Sequence, residues 1–384
     1  MPRFLPAPSF TLTVESWPLP NERASTVSSL DDPRTLVLDS QDLLGVAGAA
    51  ADAFAAGRAA AEALTIPFPS SEVSSVAICG MGGSAIAGDL VLGAYRERLR
   101  HPSAVLRDYY LPGWVGENTL VILSSYSGET EETLTAAMQA TERNALCIAI
   151  TSGGKLDGHY RESGVPIIKI PPGLQPRAAL LHLLAPLATA LSRMEAFPDI
   201  SADLDEAEGT LRAAADAYGP DKVLSQNPAK QLAVSLDGTL PLIWGAEVTA
   251  AVARRWKAQI NENAEVPAFW AEIPELDHNE IVGFEGIGEL GQQTHIVELR
   301  DPRQHRQNQR RFDLTRELVE PHVRGVVQVM AEGQGAMART LDLVMLGDYV
   351  SLYMALLREV DPAPVELIGR LKERLAVVGY GRTA

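Results

Sequence analysis

The sequence predicts an α/β protein built from two doubly wound domains, each with a parallel sheet. Short strands with continuous apolar side chains alternate with longer helical segments, which is the pattern of a parallel sheet covered on both faces. A polar helix that ends at Gly219 and Pro220 interrupts this alternation, which then begins again. The 384 residues also suffice for two domains of about 100–200 residues each.

The chain is expected to begin with an irregular arm, because residues 1–30 are rich in proline and serine and show no sustained period. A helical stretch with an alanine-rich second half follows from about Leu36 to Leu64. We therefore divide the chain into an arm, a first domain with its leading helix, a second domain and a C-terminal helical segment. These four parts are residues 1–35, 36–200, 201–350 and 351–384.

Strand and helix signals alternate through the first domain. The predicted strands cover Ser75–Gly80, Ala104–Tyr110, Thr119–Ser125, Ala145–Thr151 and Val165–Ile170. The predicted helices cover Ser84–Leu99, Glu129–Arg143 and Arg177–Met194. The second domain opens with the polar helix Ala202–Tyr218 and repeats this architecture without a visible repeat of sequence motifs. Its predicted strands cover Leu240–Trp244, Thr294–Leu299 and Val323–Met330, and the helices Ala246–Glu262, Gln307–Glu320, Ala336–Val360 and Val365–Leu375.

The composition indicates a soluble cytoplasmic protein. A formal net charge of −16 disfavours nucleic-acid binding, because phosphate backbones require a basic surface. No apolar run reaches the roughly 18 residues of a membrane span, and the N-terminus lacks the pattern of a secretory signal. Cys79 and Cys147 lie in apolar, strand-like runs and are expected to be buried free thiols. A small anionic ligand would need a local site of N–H groups, hydroxyls and one or two cations.

Two glycine- and hydroxyl-rich loops follow predicted strands. The first, residues 80–89, reads GMGGSAIAGD, and the second, residues 124–133, reads SSYSGETEET. Glycines let the backbone approach a ligand closely, and the helix that follows each loop offers free N–H groups. The second loop adds the hydroxyls of Ser125, Ser127 and Thr130. Together these neutral donors suit a phosphate monoester.

Two other interpretations of these loops are open. The first loop fits the dinucleotide pattern G-x-G-x-x-A at Gly80, Gly82 and Ala85. A nicotinamide site should carry an acid about 20 residues further on, where only the rather distant Asp108 is available, and the second loop would have no role there. The hydroxyls of the second loop would otherwise serve only to cap the following helix.

Arg177, Glu262 and His278 are candidates for proton-transfer chemistry. The pattern places Arg177 at the first turn of an apolar helix, where a cation opposes the helix dipole and needs a salt bridge or a substrate contact. Glu262 ends a predicted helix, and His278 follows shortly afterwards. A carboxylate can move a proton between two carbons, and an imidazole can assist ring opening. Taken alone, Glu262 is more readily explained as a solvated helix end and His278 as a surface or capping residue.

The two loops together resemble the signature of the sugar isomerase (SIS) domain, a doubly wound, flavodoxin-like fold. In SIS proteins the serine of the first loop and the serines and threonine of the second hold a sugar phosphate. The resemblance implies a phosphate site made by Gly83, Ser84, Ser125, Ser127 and Thr130.

The segments INENAEVPAFW, from Ile260, and PELDHNEIV, from Pro274, are similar to the catalytic stretch of bifunctional phosphoglucose/phosphomannose isomerases. The resemblance implies that Glu262 is the catalytic base. It also implies that His278 opens the sugar ring held by the neighbouring subunit, so that a homodimer has composite sites. The terminal segment DPAPVELIGRLKE resembles the last helix of the family and implies an active-site role for Lys372.

We therefore expect an isomerase that interconverts glucose 6-phosphate or mannose 6-phosphate with fructose 6-phosphate through a cis-enediolate. Arg177 would stabilise the enediolate, and neither a metal nor a cofactor is required. Ala264, Glu265 and Ala363 depart from the family pattern and bear on substrate preference or turnover. The alternative is a non-catalytic sugar-phosphate sensor. A glutamine-dependent amidotransferase would need an N-terminal cysteine nucleophile, which the opening MPRF does not offer.

Overall fold

The computed structural model describes residues 28–378, so the predicted arm lies outside the described residues up to position 27. Two 3-10 turns lead into the first two helices. The turns are Ser28–Asp31 and Pro33–Leu38, and the helices are α1 (Leu43–Gly48) and α2 (Ala50–Glu62).

The prediction of one helix from Leu36 to Leu64 is wrong in its first half. The Asp39 carboxylate accepts hydrogen bonds from the N–H groups of Leu43 and Leu44, at 2.8 Å each. Asp42 has a φ of 51°, in the left-handed region that an α-helix does not use. These capping contacts fix a helix start at Leu43 and exclude a continuous helix through this segment.

Five parallel strands form the first sheet. They are β1 (Ser75–Cys79), β2 (Ser103–Leu106), β3 (Thr119–Ser124), β4 (Leu146–Thr151) and β5 (Ile167–Lys169). Their order, β2-β1-β3-β4-β5, is that of a flavodoxin-like sheet and confirms the predicted doubly wound fold. Ile78 of β1 pairs with Val105 of β2 and with Ile122 of β3, so the carboxyl ends of these strands meet at one edge.

Helices cover both faces of this sheet. They are α3 (Gly82–Ala94), α4 (Glu131–Glu142), α5 (Gly154–Tyr160) and α6 (Leu180–Arg193). Val76 and Ile78 pack against α3 and α6, whereas Ala77 and Cys79 pack against α4 and α5. Cys79 and Cys147 are buried free thiols, as predicted. The sequence did not indicate α5, because seven residues are too few for a clear helical period.

A second, four-stranded parallel sheet follows two helices, α7 (Ser201–Tyr218) and α8 (Pro228–Leu236). Its strands are β6 (Leu240–Gly245), β7 (Phe269–Glu272), β8 (Thr294–Arg300) and β9 (Gly325–Met330), in the order β7-β6-β8-β9. Helices α9 (Val248–Asn263) and α10 (Arg306–Val319) connect them. The sequence analysis missed α8 and also β7, an edge strand of four residues whose Phe269 is exposed.

The chain ends in α11 (Ala336–Leu357) and α12 (Glu366–Val378). Within residues 28–378, α11 is the one helix long and apolar enough to cross a membrane, but 94% of that window is buried inside the protein. It packs against α7, α8 and α9 and runs across residue 350, where we divided the second domain from the C-terminal segment. This helix therefore serves as the core of the second half of the molecule.

Candidate active site

The two glycine- and hydroxyl-rich loops touch each other at the carboxyl edge of the first sheet. β1 leads into Gly80 and Ser84 at the start of α3, and β3 leads into Ser124 and Tyr126. The N–H of Tyr126 donates to Oγ of Ser84 at 3.3 Å. A Cβ on Gly80 would lie 2.7 Å from the carbonyl oxygen of Ser124, so only glycine permits this approach.

The hydroxyl groups of the second loop converge. Oγ of Ser125 lies 2.9 Å from Oγ1 of Thr130 and accepts from the N–H of Gly128 at 3.1 Å, while Oγ of Ser127 accepts from the N–H of Glu129 at 3.2 Å. The hydroxyls thus accept from N–H groups of their own loop, which precede α4, and not from the helix end that the capping interpretation expects. Thr130 is the N-cap residue of α4, yet its side chain does not cap the helix. The first N–H groups of α4 therefore form an arrangement that favours an anion.

A third loop, which the sequence analysis did not single out, closes one side of the second. A Cβ on Gly128, whose φ is +68°, would lie 1.9 Å from the carbonyl oxygen of Gly153. The backbone N–H and Nζ of Lys155 each lie 2.9 Å from the Glu129 carboxylate. This hydrogen bonding lowers the pKa of Glu129 and keeps the carboxylate charged. Because Glu129 balances the lysine, the loop presents neutral donors.

Arg177 lies in a buried turn before α6 and is 4% exposed. Its Nε donates to Oδ1 of Asn263 at 2.6 Å, and its Nη2 donates to the carbonyl oxygens of Pro362 and Ala363, the latter at 2.9 Å. The predicted position in the first turn of a helix is wrong, because α6 begins at Leu180. These acceptors, rather than a helix end, account for a cation at this position.

The remaining nitrogen of Arg177 faces Glu262, on the last turn of α9. Nη1 lies 4.0 Å from Oε2 of Glu262 and has no hydrogen-bond partner among the described residues. Burial raises the pKa of Glu262, and the positive charges of Arg177 and then Arg255 oppose this rise. Burial likewise lowers the pKa of Arg177, against the charge of Glu262. A half-buried carboxylate beside a guanidinium with free donors suits a general base next to an oxyanion-stabilising group.

The phosphate-loop candidates and the Arg177 segment form one block. A Cβ on Gly83 would lie 2.8 Å from the carbonyl oxygen of Pro176. The hydroxyl of Tyr126 donates to the carbonyl of Pro171 at 3.0 Å and accepts from the N–H of Leu174 at 2.8 Å. The hydroxyl loops therefore hold the segment that carries the guanidinium.

The other two candidates, Lys372 and His278, are both exposed. Lys372 is exposed on α12, and its charge is among those that lower the pKa of Glu262. His278 ends a 3-10 turn and is exposed. Among residues 28–378, no hydrogen bond or ion pair joins His278 to Glu262 or Arg177. Within one chain, the described polar contacts therefore do not connect this imidazole to Glu262 or Arg177.

The site is formed by loops on an open edge. Two open clefts lie elsewhere, one beside Arg193 and Phe197 and the other beside Asp39 and Tyr349, and Glu262 lines neither. No cluster of three or more His, Cys, Asp or Glu side chains in the described part of the chain could hold a metal ion. The polar contacts, rather than a cavity, locate the site.

Comparison with known proteins gives the family. Residues 71–156 match the SIS domain, and residues 225–375 match the bacterial phospho-glucose isomerase C-terminal SIS domain. The bifunctional phosphoglucose/phosphomannose isomerase of Caldicellulosiruptor bescii is 40% identical over 316 residues, 82% of this chain and 93% of the relative. The chain belongs to the bifunctional phosphoglucose/phosphomannose isomerase family. The member from Aquifex aeolicus is 35% identical over 304 residues, 78% of this chain and 90% of that relative.

The fold is also found in a hypothetical protein of Thermus thermophilus, with a TM-score of 0.70 and 16% identity. The alignment covers 93% of this chain and 96% of that one. Membership of the isomerase family confirms the resemblance drawn from the motifs. Sequence reasoning did not single out Tyr126 and Asn263, although both lie inside the quoted segments.

The second domain of this family member contains a loop after β6 that corresponds to the first glycine-rich loop. A side chain of the second domain itself occupies the position that a ligand would take there. Gly245, the last residue of β6, and Thr249 have the same spacing as the glycine and serine that follow β1, Gly80 and Ser84. Between them, Glu247 has a φ of 55°, and its carboxylate accepts from the N–H of His305 at 3.0 Å and from Nδ2 of Asn308 at 2.6 Å. The Glu247 carboxylate therefore already accepts hydrogen bonds at the start of α10. A second anion is disfavoured there, because it would be repelled by this carboxylate.

Proposed function

We propose that this protein is an aldose–ketose isomerase that interconverts glucose 6-phosphate and mannose 6-phosphate with fructose 6-phosphate. The pair formed by Glu262 and Nη1 of Arg177, beside the hydroxyl loops, carries the proposal. The relatives' name, bifunctional phosphoglucose/phosphomannose isomerase, supports these substrates.

The substrate phosphate binds at the first turns of α3 and α4. Gly83 and Ser84 supply the donors of one loop, and Ser125, Ser127 and Thr130 supply those of the other. These groups are neutral, and the protein carries a net charge of −16, so local hydrogen bonds and helix N–H groups hold the anion.

Glu262 relays the proton. As a carboxylate it removes the proton from C2 of the open-chain aldose, and electrons move to the carbonyl oxygen to give a cis-enediolate. Nη1 of Arg177 donates to the oxygen on which charge develops, in a buried setting where such a bond is strong. Glu262 then returns the proton to C1, and the proton of the O2 hydroxyl passes to O1, so that O2 becomes the ketone oxygen and O1 a hydroxyl. Neither a metal nor a cofactor is needed for these steps.

One base, Glu262, can remove the C2 hydrogen from both epimers. Glucose 6-phosphate and mannose 6-phosphate differ in which face of C2 bears the hydrogen. With the phosphate fixed in the serine loops, rotation about the C2–C3 bond brings either hydrogen toward Glu262. The same enediolate then leads to fructose 6-phosphate from both substrates.

A homodimer completes the site. His278 is exposed and makes no hydrogen bond or ion pair with Glu262 among the described residues, so we propose that it opens the ring of the sugar held by the neighbouring subunit. Lys372, whose charge lowers the pKa of Glu262, would contact the substrate. The buried free thiols of Cys79 and Cys147 fit a reducing compartment, and we place the protein in the cytoplasm.

Coupled assays test this function directly. Each aldose phosphate is supplied separately, and formation of fructose 6-phosphate is followed. We expect conversion of both. Calorimetric binding of fructose 6-phosphate without conversion of either aldose would contradict the proposal and indicate a non-catalytic sugar-phosphate sensor.

A further inference from the structure

We propose that Asn263 and Ser351 are positioning residues that fix the guanidinium of Arg177 against Glu262. This inference rests on the proposed function, which gives Arg177 and Glu262 their roles. Ser351 lies on α11, 88 positions beyond Asn263, and it contacts neither Glu262 nor the hydroxyl loops through a hydrogen bond among the described residues. Its effect on the chemistry passes through Asn263.

Ser351 determines which way the Asn263 amide points. The hydroxyl of Ser351 donates its one proton to the carbonyl oxygen of Asp348 at 2.8 Å, so it can only accept from its other neighbour. That neighbour is Nδ2 of Asn263, at 2.9 Å. Oδ1 of Asn263 consequently faces Arg177 and accepts from its Nε at 2.6 Å. A flipped amide would set a donor against a donor at Arg177 and an acceptor against an acceptor at Ser351.

The orientation of Asn263 decides which donors of Arg177 remain free. Nε is held by Asn263, and Nη2 is held by the carbonyl oxygens of Pro362 and Ala363. These two anchors fix the plane of the guanidinium. Nη1 is left directed at Glu262, 4.0 Å from Oε2. The network thus aims the free N–H groups at the place where the enediolate forms.

A second path closes the network into a ring. Arg255 donates to the Asp348 carboxylate at 3.0 Å and 2.6 Å and to the carbonyl oxygen of Arg177 at 3.2 Å. Arg177, Arg255, Asn263 and Ser351 are each at most 4% exposed. Apart from Nη1 of Arg177, the donors of this buried network are paired, and an alternative geometry would leave further polar groups unpaired.

Ser351→Ala tests the proposed positioning without changing Arg177, Glu262 or the hydroxyl loops. The variant removes the acceptor for Nδ2 and frees the amide to rotate, and a misplacement of about 1 Å can cost up to about 10²-fold in rate. We expect kcat to fall at least about tenfold, while the KM for fructose 6-phosphate stays within about twofold because the phosphate loops are unchanged. Thr340→Val is the matched control, since this buried hydroxyl of the same helix donates only to the carbonyl of Ala336.

Asn263→Asp supplies a second measurement, the pH dependence of kcat/KM, which a loss of stability alone would not change. The added negative charge is expected to raise the pKa of Glu262, so the acidic limb of kcat/KM should move to higher pH by about half a unit to one unit. Thr340→Val should leave both kcat and the limb unchanged.

Thermal unfolding of each variant separates stability from positioning. Wild-type kcat in Ser351→Ala, or a loss of activity that only follows its folded fraction, would overturn this inference alone. Failure of the wild-type protein to isomerise either aldose phosphate would overturn the proposed function and this inference with it.

Discussion

Nη1 of Arg177 lies 4.0 Å from Oε2 of Glu262, and the two residues belong to different halves of the molecule. Arg177 follows the last strand of the first sheet, and Glu262 lies on the helix that follows the first strand of the second. The pair forms only where the two halves pack together. Substitutions that disturb this packing should therefore change turnover before they change phosphate binding.

Gly83→Ala should separate the hydroxyl loops from the Arg177 segment. The new Cβ would lie 2.8 Å from the carbonyl oxygen of Pro176, a backbone atom that cannot swing away. We expect kcat/KM for fructose 6-phosphate to fall at least about tenfold. Gly158→Ala is the matched control, because its Cβ would meet no atom within 4 Å. Equal kcat/KM values in the two variants would contradict the close approach.

Removal of the Arg177 charge should raise the pKa of Glu262, because burial raises it and Arg177 is the first charge that opposes burial. A base acts only when it is deprotonated, so kcat/KM falls as the pH falls through this pKa. In Arg177→Met we expect the acidic limb at higher pH, with kcat lowered about 10²-fold. Lys372→Met should move the limb in the same direction by less. If the acidic limb of kcat/KM in Arg177→Met lay at the same pH as in the wild type, the charge of Arg177 would not act on the pKa of Glu262.

The hydroxyls of the second loop should govern phosphate affinity. With Ser125→Ala or Ser127→Ala, we expect the inhibition constant of inorganic phosphate to rise up to about tenfold, which is about 1.4 kcal/mol for each hydroxyl. We expect kcat to stay within about threefold, since neither hydroxyl contacts the reacting carbons. Ser163→Ala removes a hydroxyl that donates to the carbonyl of Tyr160, outside both loops, and is the control. Unchanged inhibition by phosphate in both serine variants would place the anion elsewhere.

Asp342, in the core helix α11, should make stability depend on pH. Burial raises its pKa to about 7, above the value of about 3.9 in an unfolded chain. The folded protein keeps a proton that the unfolded chain releases, so the contribution is complete below about pH 4 and is lost as the pH rises through about 7. Urea unfolding at pH 5 and pH 8 should show that Asp342→Asn gains stability relative to the wild type at the higher pH. The same difference at both pH values would contradict this assignment.

The sequence was sufficient for the strands of the first sheet and for the two hydroxyl loops. Continuous apolar runs such as Ser75–Cys79 mark buried parallel strands whatever surrounds them, and the loops follow directly. Local patterns also indicated Glu262 at the end of a helix, where the structure places it one residue before the end.

Long-range contacts decided what the sequence could not show. The apolar pattern before Met194 predicted a helix from Arg177, but the hydrogen bonds of Arg177 to Pro362 and Ala363 hold that residue in a turn. The pairing of Asn263 with Ser351 joins positions 88 residues apart, and no local period reports it. Short elements such as Phe269–Glu272 lack enough residues to reveal a pattern.

The role of Glu262 as the proton relay is tested most directly by isomerisation in ²H₂O. The wild-type protein and Glu262→Gln are incubated with glucose 6-phosphate, and deuterium at C1 of the fructose 6-phosphate formed is measured by NMR. We expect the wild type to place solvent deuterium at C1, and Glu262→Gln, at equal folded concentration, to form product at least about 10³-fold more slowly. Near-normal turnover and deuterium incorporation by Glu262→Gln would contradict the account.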